Sequence, residues 1–283
     1  MKTPYIFAKR FVAGESYDVA EKKVRAINEK GNRVTLDLLG ENIKDATTAA
    51  QTVDAYIELL EQIKTSGLDS SISVKLTMMG LDISEDVCYE NLSRLLDTAK
   101  AHHQFVRIDM EGSDYTQATI ELFKRALKEY KGHVGLVLQA YLHRTAKDVA
   151  ELAELGADIR LCKGAYKESA AVALQSMDDI RAAYKEYAKI LIEKTSFPRM
   201  ATHDGSLVKW LLDYAASEGL AKDRFEFQML YGLRESTMNK LASEGWKTCV
   251  YVPYGTMWFP YFTRRLMERK ENIFFIATTL FKS

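Results

Sequence analysis

The sequence predicts an α/β fold, a (β/α)8 barrel of the TIM type in one domain over residues 1–283, and three observations carry that prediction. Eight short, β-branched apolar runs alternate with longer segments whose apolar residues recur every three to four positions, the pattern of parallel βαβ units. No Pro-, Gly- or Ser-rich linker divides the chain. Near the end of each run stands a polar residue: Asp37, Lys75, Asp109, Gln139, Lys163, His203, Gln228 and Tyr251. An open sheet would gather such groups at one switch point. A closed barrel rings its mouth with them.

An N-terminal helical segment, residues 1–32, precedes the barrel. Its helix is expected over Tyr17–Lys30, capped by Ser16, with Ala20, Val24 and Ile27 on one face and Gly31 ending it. The strands are expected to begin at Arg33 (RVTLDLLG), Ser71 (SISVKL), Phe105 (FVRIDME), Val134 (VGLVLQAY), Asp158 (DIRLCKGAY), Arg199 (RMATHD), Arg224 (RFEFQML) and Thr248 (TCVYVPYG). Amphipathic segments such as ATTAAQTVDAYIELLEQIKTSG fill the intervals.

Composition narrows the function classes. Lys+Arg and Asp+Glu balance at 39 each, so no basic excess marks a nucleic-acid binder. The three cysteines, Cys88, Cys162 and Cys249, form no C-x-x-C pair, which argues against a disulfide framework or a cysteine zinc site and for a reducing compartment. His102 and His103 are adjacent near a helix end, so their rings diverge, and no metal site is expected. The N-terminus lacks the apolar run of a signal peptide. The uncharged stretch Thr248–Thr263 is broken by Pro253, Gly255 and Pro260, and the tail Ile273–Phe281 is shorter still. Neither reaches the ~20 residues of a membrane span.

Two runs bear chemistry. In RLCKGAY, Arg160 sits in a strand while Lys163 and Gly164 lead into the mouth, a cationic turn suited to a phosphate or an electron-rich ring. The same residues also fit a plain strand-end turn with solvated cations. In YFTRRLMERKEN, Arg264 and Arg265 project about 100° apart on a helix, and Glu268 is spaced to pair with either. Taken alone this is a surface salt-bridge helix. The flanking Trp258, Phe259, Tyr261 and Phe262 suggest instead a partly buried helix roofing a pocket.

At these motifs the chain resembles the monofunctional proline dehydrogenases. TLDLLGE, SVKL, RIDME, QAY, RLCKGAY, ATHD, FEFQML and YVPYG followed by YFTRRLMERKEN occur in the family's order along nearly the whole chain. The resemblance implies a distorted barrel that binds FAD at its mouth, with the last helix above it. It further implies oxidation of L-proline to Δ1-pyrroline-5-carboxylate with electrons passed to a membrane quinone. Residue by residue, it assigns Asp109 and Arg160 to catalysis. Lys75, Tyr166, Tyr251, Tyr261, Arg264, Arg265 and Glu268 fall to the substrate, the arginines gripping its carboxylate in the bidentate manner a lysine does not match. Asp109 is expected to pair with a nearby cation such as Lys75. Met110, Gln139, Arg160, Lys163, Gly164, Ala165, Thr202, His203 and Gln228 fall to the flavin. Lys167 departs from the long bifunctional relatives, which carry an aromatic there, so stacking on the flavin is not expected from it.

A cytoplasmic enzyme meeting the membrane only peripherally, at its inner face, follows from the quinone acceptor. The apolar tail from Ile273 to Phe281 either serves as an interfacial anchor or packs on the barrel or a second subunit. Two rivals differ in class. A Schiff-base lyase would use Lys75 or Lys163 as its amine. A non-catalytic amino-acid sensor would keep only the scaffold.

Overall fold

The computed structural model describes residues 5–267. Its centre is a closed parallel barrel of eight strands in sequential order. These are β1 (Arg33–Leu38), β2 (Ser70–Val74), β3 (Val106–Ile108), β4 (Val134–Gln139), β5 (Asp158–Cys162), β6 (Arg199–Ala201), β7 (Glu226–Leu230) and β8 (Lys247–Tyr254). The register between β1 and β8, Arg33 opposite Cys249 through Leu38 opposite Tyr254, closes the ring.

The N-terminal segment supplies a 3-10 turn (Tyr5–Arg10) and α1 (Tyr17–Asn28). Seven helices follow strands β1 to β7: α2 (Ala46–Ser66), α3 (Glu85–Ala101), α4 (Thr116–Tyr130), α5 (Thr145–Glu154), α6 (Met177–Lys194), α7 (Gly205–Ser217) and α8 (Glu235–Ser243). The chain then enters α9 (Trp258–Met267). Local chemistry starts and stops these helices. Asp45 accepts from the Thr48 N–H at 2.8 Å to open α2, and Gly67, at φ 63°, closes it in the left-handed conformation that a Cβ disfavours. Ser84 caps α3 in the same way, accepting from the Val87 N–H at 3.1 Å. Ser16 occupies the N-cap of α1 but makes no side-chain cap bond there.

The core lies between the barrel wall and the helices. Val53, Leu60 and Ile63 of α2 face Leu36, Ile72 and Val74 of the wall, all buried. Each such aliphatic side chain contributes about 1.5–3 kcal/mol by leaving water. Inside the barrel the alternation of strand residues sends a different, polar set toward the axis. Every strand's C-terminal end opens at one face, and the site is built there.

Candidate active site

Asp109, one residue beyond β3, is the hub of the mouth. Its Oδ1 accepts from Arg160 Nη1 of β5 at 2.8 Å, and its Oδ2 accepts from Tyr251 Oη of β8 at 2.7 Å. The Arg160 guanidinium lies 5.5 Å from the centre of the Tyr251 ring. Its other nitrogens donate to Ser73 Oγ at 3.2 Å and to Gln228 Oε1 at 2.5 Å. Arg160 is 5% exposed, so each bond is made away from bulk water, where charge-assisted pairs are strong and orphaned charges costly.

Lys75, just past β2, was expected beside Asp109. It does reach Asp109 Oδ2, at 4.0 Å, but its closer partner is Asp37 of β1, whose Oδ1 it meets at 2.9 Å. Burial alone would depress the Lys75 ammonium. The carboxylates of Asp37 and Asp109 outweigh it, and the net shift is upward. Tyr166, on the loop after β5, adds to that shift and so stands near Lys75. Burial drives the Asp37 carboxyl upward, only partly opposed by Lys75, and pushes the Tyr251 hydroxyl far up.

A second cluster spans the ends of β4 to β6. Gln139 donates from Nε2 to the Glu111 carbonyl at 2.9 Å and accepts from the Ala165 N–H at 3.4 Å. Gly164 holds φ 118°, and a Cβ there would stand 2.2 Å from a ring carbon of Tyr141, so no other residue fits the turn. Lys163 Nζ and Arg181 Nε both donate to Asp204 Oδ2, at 3.1 and 2.8 Å. Asp204 Oδ1 meanwhile caps α7 through the Ser206 N–H at 3.0 Å. Burial opposes ionisation of Asp204, but the bonds from Ser206, Arg181 and Lys163 prevail and hold it well below the usual carboxylate range. His203 Nε2 accepts from the Leu230 N–H at 2.8 Å, which places the ring proton of neutral His203 on Nδ1. Met110, Thr202 and Gln228 are buried in the wall of the mouth.

The sequence-derived set therefore gathers in two adjoining groups. Lys75, Asp109, Arg160, Tyr251 and Gln228 form the first, with Tyr166 close by. Gln139, Lys163, Gly164, Ala165, Thr202 and His203 lie on the β4–β6 side. Tyr261 is buried in an apolar cluster with Phe11, Val12, Leu39, Leu233 and Phe262, which fastens α9 to the N-terminal turn. Arg264 and Arg265 fall on the last turns of α9. Their side chains, Glu268 and the apolar tail lie outside the described residues.

Several partners carried no assigned role in the sequence reading: Asp37 beneath Lys75, Glu226 behind Gln228, and Arg181 with Asp204 beside Lys163. For Glu226 the signal was available, since polar residues two apart on one strand, as in FEFQML, face the same side. Among the described residues no cluster of three or more His, Cys, Asp or Glu side chains could hold a metal ion.

Fold and mouth together define a class: a (β/α)8 barrel whose strand ends converge on a buried, charge-paired site of the kind barrel enzymes use. Comparison with known proteins makes the class specific. The family model for proline dehydrogenase matches residues 20–278, and the chain belongs to that family of oxidoreductases. It is 40% identical over 270 residues to proline dehydrogenase 2 of Bacillus subtilis strain 168, covering 95% of this chain and 89% of that one. It is 36% identical over 279 residues to the proline dehydrogenase of Deinococcus radiodurans, covering 97% and 90%. Among solved structures it is similar to proline utilization A of Bdellovibrio bacteriovorus inactivated by N-propargylglycine. The TM-score is 0.85 at 26% identity, over 93% of this chain and 32% of that one, so the chain spans about a third of that protein.

Proposed function

We propose that this protein oxidises L-proline to Δ1-pyrroline-5-carboxylate, with FAD as its cofactor and a membrane quinone as the final electron acceptor. The observation that carries this reading is Asp109, held from both sides by Arg160 and Tyr251 with Lys75 at 4.0 Å, at the mouth of a barrel of this family.

The donor set of the β4–β6 side fits a flavin dinucleotide. Lys163 and Arg181 converge on Asp204 beside the N-terminus of α7, Arg181 also meeting Asp178 at 3.0 Å, and two cations at a helix N-terminus suit a pyrophosphate. Gln139 and the Ala165 N–H suit the hydrogen-bonding edge of a flavin ring. Met110, Gln139, Arg160, Lys163, Gly164, Ala165, Thr202, His203 and Gln228 would hold the cofactor. When bound, the flavin supplies the two-electron acceptor for the substrate's hydride.

The chain's own residues supply the rest. Lys75, Arg264 and Arg265 bind the substrate carboxylate, and Glu268 orients the arginines. Tyr166, Tyr251 and Tyr261 wall the ring. The amine must lose its proton before the adjacent carbon gives up hydride. Asp109 keeps Arg160 and Tyr251 in place, while the arginine clamp fixes the substrate, and holding a reactant in this way is worth up to about 7–11 kcal/mol of barrier.

Among the described residues no helix is long and apolar enough to cross a membrane. We place the quinone encounter at the membrane surface on the cytoplasmic side, with proline as the small-molecule partner. Steady-state oxidation of L-proline with a soluble dye, and trapping of the cyclic imine, test the assignment. Turnover with imine formation is expected, and an FAD-loaded protein inert to proline would overturn it. The Schiff-base reading needs a neutral lysine, whereas Lys75 is shifted the other way by its carboxylate neighbours.

A further inference from the structure

Below the mouth, toward the N-terminal ends of the strands, the barrel holds a partly open polar cavity of about 140 Å³. Arg33, Arg107, Arg160, Arg199, Glu226 and Gln228 are among its lining residues. Arg160 and Gln228 thus belong both to the mouth and to this floor. Glu226 is fully buried and lies on β7 two residues before Gln228, one step below the mouth.

The direction of the bonds gives Glu226 a task. Its Oε1 accepts from Gln228 Nε2 at 2.6 Å and from Arg199 Nη1 at 3.0 Å. An amide has one donor end and one acceptor end. With its nitrogen held by the carboxylate, Gln228 can present only Oε1 to Arg160, and Arg160 Nε donates to that oxygen at 2.5 Å. Arg160 Nη1 then meets Asp109 at 2.8 Å. A four-member chain therefore runs from the floor to the hub of the mouth, in which the donor-only guanidinium of Arg160 takes the Gln228 oxygen and Glu226 holds the Gln228 nitrogen. Reversing the Gln228 amide would set its N–H2 against the Arg160 Nε–H, donor against donor, and push the guanidinium off Asp109.

We propose that Glu226 is a positioning residue for the reaction: by anchoring the amide nitrogen of Gln228 on a buried charge it holds the Gln228 oxygen on Arg160, and Arg160 on Asp109. This rests on the reading of Arg160 and Asp109 as catalytic residues of proline oxidation. The test is a cycle in the intact, FAD-loaded enzyme. Glu226→Gln replaces the charged acceptor of Gln228 and Arg199 by a neutral amide oxygen, and Gln228→Glu leaves two carboxylates within hydrogen-bond reach. Each single change is expected to lower kcat at least about tenfold, the scale of a lost hydrogen bond to a charged group. The double exchange restores one carboxylate and one amide, with the carboxylate accepting directly from Arg160, and is expected to recover most of the loss. A residue needed only for folding would show no such recovery.

If Glu226→Gln does not fold, Glu226→Asp keeps the charge for Arg199 but withdraws the acceptor from Gln228 by about 1.5 Å, one carbon–carbon bond. It is expected to lower kcat more than it raises KM. A crystal structure of this variant without ligand is expected to show a lengthened Arg160–Asp109 contact. Wild-type kcat in Glu226→Gln or Glu226→Asp, or a double exchange no faster than the slower single variant, would overturn the proposal. Should the wild-type protein fail to oxidise proline, the proposed activity falls separately, and an unchanged Arg160–Asp109 contact in Glu226→Asp still decides against Glu226.

Discussion

Lys75 Nζ lies 2.9 Å from Asp37 Oδ1 in a buried pair between the first two strand ends, and this pairing leaves Asp109 to Arg160 and Tyr251. With Asp109 only 4.0 Å away, Lys75 stands between two carboxylates and is committed to the nearer, Asp37.

Asp37→Asn removes that commitment. Lys75 is then expected to turn onto Asp109 and compete with Arg160, lowering kcat/KM for proline at least about tenfold, as the loss of a charged hydrogen bond implies. Breaking a buried pair from one side also destabilises, by about 3–5 kcal/mol. Urea unfolding alongside proline kinetics checks both parts. Unchanged kinetics would show that Asp37 does not set the position of Lys75.

Gly164→Ala tests the turn at the β5 mouth. The backbone there is left-handed, at φ 118°, and the added methyl would meet the Tyr141 ring at 2.2 Å. The loop bearing Lys163, Ala165 and Tyr166 must shift, so FAD content per mole of protein is expected to fall. Full flavin loading in the variant would separate this loop from the cofactor.

Much of the barrel was legible because its signals are local. The eight runs, the caps and the glycine stops all fall within short windows, and the order of polar strand ends already placed the mouth. Partner choice was not legible to the same degree. Asp109 pairs more closely with Arg160, 51 residues away in sequence, than with Lys75, because both side chains point to the axis from strands two places apart. The brevity of β3 and β6, three residues each, also escaped the reading, which carried the two runs on through Asp109–Glu111 and Thr202–Asp204, residues that leave the ladder to form the mouth.

Acid stability tests the barrel floor. Asp158 is bonded to Arg107 and, at 2.8 Å, to Arg199 Nη2. Burial opposes its ionisation, but the two guanidiniums prevail and its carboxyl titrates below the usual value. A depressed carboxylate contributes stability that is complete above the unfolded value of about 3.9 and is lost as pH falls through the folded one. Wild type is therefore expected to lose more stability than Asp158→Asn between about pH 5 and pH 2. Parallel acid profiles, followed by circular dichroism, would contradict this.

Arg264→Met and Arg265→Met test the carboxylate clamp that the family resemblance assigns to α9. Each is expected to raise KM for proline at least about tenfold while flavin stays bound, since a charge-assisted bond is worth about 1.5–3 kcal/mol. Unchanged proline kinetics in both variants would return this helix to a surface role.

Cofactor and substrate class meet in one observation, the visible spectrum of the purified, FAD-reconstituted protein before and after anaerobic addition of L-proline. A bound-flavin spectrum that bleaches on addition of proline, and recovers with an electron acceptor, is the expected result. A colourless protein that retains no FAD, or flavin bands that proline leaves untouched, would contradict the proposed function directly.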